Sequence, residues 1–279
     1  MTRYPIYIIS KGRAKQQLTA RELSRMGVKY LVCVEPQEVN EYAAVIEKSK
    51  LVELPFSDLG CGSISARNWA WEDSVAKGAA RHWILDDNIE AFNRLNRNRK
   101  YPVHTDAIFT AAEDFVDRYK NVGLAGFNYY SFCKATDPLP AFYLNTRIYS
   151  CILVDNTLPL RWRGKYNEDT DLSLRVLKSG LCTVLFNAFL CGKVTTMRMK
   201  GGNTENVYND GTNRKSFAQA LVDLHPDCTS VVWRFNRWHH LVDYRPFKKN
   251  KLIRRSLKVL KFSNEYGMKL VRIHDRIPS

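Results

Sequence analysis

Trp83-Ile84-Leu85-Asp86-Asp87-Asn88 is a hydrophobic run that stops on two carboxylates and an amide. Residues 82–85 predict a buried strand, and a strand apolar on both faces belongs inside a sheet covered by helices. Adjacent like charges at its end are costly unless a cation or hydrogen bonds compensate them. Hard oxygens in this pattern suit Mg²⁺ or Mn²⁺ carrying a diphosphate. Asp and Asn are also ordinary turn residues, so a plain turn is the competing reading.

The pattern on either side has the same alternation. Residues 6–9, 30–34, 51–54 and 122–127 predict strands, and 142–154 has strand composition with a turn near Asn145. Residues 15–26, 38–49, 65–77, 105–119 and 170–179 predict helices, the last stopped by Gly180. Such alternation predicts an α/β fold with a mostly parallel sheet. Ligands in that class bind at the carboxyl ends of the strands.

Those ends carry the chemistry. The first strand leads into Ser10-Lys11-Gly12-Arg13 and the second into Glu35-Pro36. Ser10 and Arg13 can meet a nucleotide, and Glu35 can accept from a ribose or a base N–H. Gly60-Cys61-Gly62-Ser63-Ile64-Ser65-Ala66-Arg67-Asn68 is a glycine-rich turn into a helix start, where free N–H groups can meet an anion. Arg67 could contact a pyrophosphate and Asn68 a base or ribose. Asn167-Glu168-Asp169-Thr170-Asp171-Leu172 opens a helix with three acids in four residues, more than capping needs. A carboxylate there could serve as general base to an acceptor hydroxyl. The aromatic stretch from Phe127 to Phe132 reads as sheet core or as an acceptor wall. His225, His239 and His240 stand at no metal-specific spacing.

The chain has 279 residues, enough for a large core without disulfides. Its seven scattered cysteines predict reduced thiols. No stretch approaches the ~20 apolar residues of a membrane span, and no leader is expected, so a cytoplasmic chain is expected. The net charge is +15, from 43 Lys and Arg against 28 Asp and Glu. Residues 231–279 hold 13 of the basic residues and three acids, a net of +10, with aromatics interleaved. This mixture suits nucleic acid. A solvated surface helix or a basic helix on an anionic membrane would have the same composition. Arg94, Arg97, Arg99 and Lys100, interrupted by Asn93, Asn96 and Asn98, predict a basic loop.

Taken in order, Ser-x-Gly-Arg, Glu-Pro, Gly-x-Gly-x-x-Ala-Arg-Asn, Trp-x-Leu-Asp-Asp-Asn and Asn-Glu-Asp-Thr-Asp-Leu resemble a GT-A fold nucleotide-sugar glycosyltransferase. More narrowly, the chain resembles glycosyltransferases associated with TET/J-binding-protein oxygenases, a group that includes bacteriophage enzymes acting on modified DNA bases. The resemblance runs over about residues 4–247 and includes Arg237-Trp238-His239-His240. It implies a Rossmann-like nucleotide-sugar domain over 1–230 and a basic helical C-terminal extension over 231–279. It implies transfer of glucose or arabinose from a UDP-sugar to 5-hydroxymethylcytosine in DNA, with Asp169 as base. Ser10, Arg13, Glu35, Arg67, Asn68 and Asp86 would hold the nucleotide-sugar, and Asp87 and Asn88 a divalent metal. Arg237, His239, His240, Lys248 and Lys249 would contact DNA. The rival expectations are a lipid-linked or polysaccharide acceptor at a membrane, and a non-catalytic nucleic-acid-binding protein.

Overall fold

A computed structural model describes residues 2–134, 136, 138–164, 166–194 and 213–255. The strand predicted at 82–85 is β4 (Arg81–Asp86), buried as far as Leu85. On one side of it lie β1 (Ile6–Ile9), β2 (Leu31–Val34) and β3 (Leu51–Glu53), all parallel to it. On the other side β9 (Cys151–Asp155) runs antiparallel, followed by β7 (Val122–Tyr129) and by β10 (Cys182–Lys193), which is parallel to β7. β5 (Ile89–Asn96) and β6 (Arg99–Pro102) close the sheet, and β8 (Phe142–Leu144) pairs with β10. Followed through these pairings, all strands but β5, β8 and β9 point the same way, so the sheet is mixed but mostly parallel.

Side-chain alternation divides the core between two faces. Ile6, Ile8, Trp83 and Leu85 pack with α1 (Leu18–Arg25) and α4 (Ala107–Asp117). Tyr7 and Ile84 point the other way, toward α3 (Ile64–Ala76). Leu124, Ile152 and Val154 meet Trp71 of α3 and Leu172 and Val176 of α5 (Glu168–Lys178). The seven cysteines are free, six of them buried. No helix among the described residues is long and apolar enough to cross a membrane.

Three expectations change. The helix predicted at 38–49 is only α2 (Val39–Ala43), because the chain turns out of it to bury Ile46. The predicted basic loop is the β5–β6 hairpin. Arg97 and Asn98 take left-handed backbone, as a two-residue hairpin turn requires, and the asparagines at 93 and 96 belong to β5. Where it is described, the C-terminal extension has no α-helix, and its helical part is a short 3-10 segment at Arg245–Lys249. After α6 (Asn213–Leu224), residues 229–242 form the hairpin of β11 (Thr229–Arg234) and β12 (Arg237–Val242). Its β-branched and aromatic residues favour strands, and their cross-strand pairing outweighs the basic pattern. Residues 256–279 lie outside the described set.

The sheet tolerates no side chain at Gly126, in the middle of β7. A Cβ there would collide with the Cys151 carbonyl oxygen and the Ile148 side chain, and the first is backbone. Gly126→Ala is expected to lose about 3 kcal/mol of stability by overpacking, read as a lower urea midpoint with an unchanged slope.

Candidate active site

Parallel pairing puts the carboxyl ends of β1, β2 and β4 on one edge, bringing Ser10, Glu35 and Asp86 together. Arg67 reaches the same edge from the first turns of α3. Its Nη2 donates to Asp86 Oδ1 at 2.9 Å and stands 3.8 Å from Glu168 Oε1. The guanidinium lies 4.7 Å from the centre of the Trp162 ring. Thus the two acidic motifs, far apart along the chain, share one arginine.

The other Asp86 oxygen accepts from Ser150 Oγ and from Lys193 Nζ, both at 2.7 Å. Burial alone would raise the Asp86 carboxyl, but Lys193 and Arg67 hold it well below the usual carboxylate range. The Lys193 ammonium would likewise be lowered by burial, and the Asp86 charge holds it well above its usual value. Asp87 is more deeply buried. Its oxygens are taken by Arg13 and by Ser10 Oγ, the latter at 2.7 Å. Burial still raises its carboxyl, against the opposing pull of Arg13. Glu35 accepts from Lys11 Nζ and Gln37 Nε2, both at 2.6 Å.

Asp87 and Asn88 do not fit a resident divalent cation. Such an ion needs hard oxygens free to turn toward it. Both oxygens of Asp86 and both of Asp87 already face fixed cations or hydroxyls, leaving the buried Asn88 Oδ1 as the atom without a partner. No group of three or more His, Cys, Asp or Glu among the described residues could hold a metal. A second buried atom, Arg67 Nη1, also lacks a partner. A guanidinium N–H without an acceptor, on a side chain set between Asp86 and Glu168, suits an anionic ligand.

At the start of α5, Asp169 Oδ1 accepts from the Thr170 N–H at 2.6 Å, and the side chain is half-buried. Glu168 beside it is raised by burial, opposed by Arg67. Asp171 points inward instead. It accepts from His225 Nε2 at 2.9 Å, from Arg175 Nε at 2.8 Å and from Arg163 Nη2 at 3.0 Å. His225 is therefore a buried link between α5 and the segment after α6.

Several expected contacts fall elsewhere. Asn68 joins its amide to the Trp162 backbone, donating to the carbonyl at 3.0 Å and accepting from the N–H at 2.8 Å, so it clasps a loop rather than facing the edge. Lys248 and Lys249 are exposed near Asn250, whose side chain donates to the Leu177 and Leu181 carbonyls at the far end of α5. Leu177 is eight residues beyond Asp169 on α5, which puts this contact about 12 Å along the helix from it. His240 is half-buried near Arg147 and Asp169, and burial lowers it to about 4. Arg237 and His239 lie on the hairpin, where Arg237 Nε donates to His239 Nε2 at 3.0 Å.

Lys193, Ser150 and Trp162 join the site without having stood out in the sequence. Lys193 has a usable signal, because it is the charged residue that closes a long apolar strand, as Asp86 closes β4. Ser150 and Trp162 have none, since each reaches the site from an irregular segment.

A solved structure from Desulfovibrio desulfuricans G20, assigned provisionally as a nucleotide-diphospho-sugar transferase, is similar at 12% identity and a TM-score of 0.39, covering 67% of this chain and 80% of that one. No curated protein matches the chain. The model of the TET-associated glycosyltransferase family matches residues 4–202, which include both acidic motifs and Lys193. The chain belongs to that family of glycosyltransferases.

Proposed function

We propose that this glycosyltransferase moves glucose or arabinose from a UDP-sugar to the hydroxymethyl group of 5-hydroxymethylcytosine in DNA, in the cytoplasm of a bacteriophage-infected cell. The observation that carries the reading is the convergence of Asp86 and Glu168 on Arg67, with Asp169 beside them. Donor chemistry and a proton acceptor thereby share one edge of the sheet. The basic, aromatic hairpin near Asp169 favours a polyanionic acceptor over a neutral polysaccharide.

The reaction is a single displacement. The acceptor oxygen forms a bond to the anomeric carbon, Asp169 takes its proton, and the bond to UDP breaks with the electron pair leaving on the diphosphate. Inversion at the anomeric carbon follows. Arg67 and Lys193 supply fixed positive charge where that negative charge develops, which requires no reorganisation during the step. Ser10, Arg13 and Glu35 line the nucleotide end of the same edge. Tyr130 and Phe132, exposed after β7, offer faces for an acceptor base.

Asp169→Asn is expected to lower transfer about 10²- to 10⁴-fold while UDP still binds, checked by nucleoside mass spectrometry and titration calorimetry. Lys193→Met should lower turnover about 10²-fold or more, and added Mn²⁺ should not restore it. Chelation with EDTA should leave UDP binding and transfer by the native chain intact. Loss of both on chelation, with recovery on adding Mn²⁺, would show that a metal rather than Lys193 neutralises the diphosphate.

A further inference from the structure

The tip of the β11–β12 hairpin is Phe235-Asn236, and both residues have left-handed backbone, with φ of 52° and 55°. A two-residue turn of this type favours Asn and Gly. Asn236 fits that rule and Phe235 breaks it. Phenylalanine in this conformation costs roughly 1–2 kcal/mol and is 86% exposed, with an edge-on approach to the His239 ring at 6.2 Å, so core packing does not explain it.

The hairpin beneath the tip is well supported. Trp233 and Trp238 are cross-strand partners with ring centres 5.1 Å apart, and the Lys215 ammonium of α6 lies 5.0 Å from the Trp238 ring. Val242, at the base, packs against the cluster of Leu174, Leu177 and Phe247. The register puts Arg234 opposite Arg237 and Val232 opposite His239, so these four share the face opposite Trp233 and Trp238. Residues 229–242 contain no acid. An exposed aromatic tip flanked by two arginines is complementary to a polyanion with a stack of flat rings inside it.

We propose that Phe235 is a wedge that enters the base stack of duplex DNA while Arg234 and Arg237 hold the phosphates on either side. This rests on the DNA acceptor proposed above and adds how a paired base reaches Asp169. Asp86, Glu168 and Asp169 are partly buried, and a hydroxymethyl group held inside a base stack would have to be brought out to reach them. Apolar side chains inserted between base steps unstack them, and enzymes that act on a base commonly extrude it. A β-ribbon is also narrow enough to enter the major groove.

The test uses the full chain, UDP-glucose or UDP-arabinose, and a hydroxymethylcytosine duplex with 2-aminopurine beside the target. Phe235→Asn suits the turn, so the hairpin should persist, and Phe235→Tyr keeps a ring. Binding of the native chain should raise 2-aminopurine fluorescence. Phe235→Asn should abolish the rise and lower the ratio of duplex to single-strand transfer about 10-fold or more, and Phe235→Tyr should retain both. An unchanged ratio in Phe235→Asn, or equal losses on duplex and single strand, would overturn the wedge and leave the DNA acceptor standing. A native chain that modifies no hydroxymethylated DNA, and instead binds phosphatidylglycerol vesicles through Phe235, would overturn the acceptor and the wedge together.

Discussion

The buried charge of Asp86 is the constraint on which the site depends. A carboxylate at the end of a central strand is destabilising by several kcal/mol unless it is paired and hydrogen-bonded. Here its partners come from three places: Arg67 from α3, Lys193 from the end of β10, and Ser150 from the turn before β9. None is adjacent to it in sequence. Satisfying one carboxylate therefore fixes the relative positions of a helix, a strand end and a turn, and those are the walls of the proposed donor site. The same arrangement sets Arg67 and Lys193 among Asp86 and Glu168, so each cation there is matched by an acid.

Asp171 applies the same physics at the start of α5. Its buried carboxylate ties α5 to Arg163, Arg175 and His225. Residues two apart on a helix are separated by about 200° of rotation. Holding Asp171 inward thus turns Asp169 outward, toward the edge that Arg67 and Glu168 share. The three acids of the motif divide into an anchor, a partner for Arg67 and a half-exposed carboxylate. Their number exceeds what capping needs, and none of them occupies the N-cap position, which is Asn167.

Much of this is legible in the sequence because it rests on local chemistry. Apolar runs closed by polar residues locate β1, β2 and β4, and the rule that ligands gather at strand ends locates Ser10, Glu35 and Asp86. The pairing of side chains is not legible, because it depends on register and packing between distant segments. That is why Asn68 reads as a nucleotide contact although it clasps Trp162, and why Asp87 reads as a metal ligand although Arg13 and Ser10 occupy its oxygens. Charge density likewise hides the hairpin in the C-terminal segment. The strand signal there is the alternation of Trp, Val, His and Leu, which the arginines and lysines obscure.

The basic extension also divides by position. Lys248 and Lys249 stand by the far end of α5, whereas Arg234 and Arg237 ride on a hairpin whose base packs against that same helix. The hairpin and Asp169 are thus referred to one rigid element. A grip that moved independently of the base would present the acceptor hydroxyl in many orientations, and most would be unreactive. On the proposed reading, mounting both on α5 limits that freedom, and a binding contact remote from the reacting atoms then contributes to the rate. It also explains why a strained aromatic tip can persist, because the anchored strands beneath it leave the turn little room to relax.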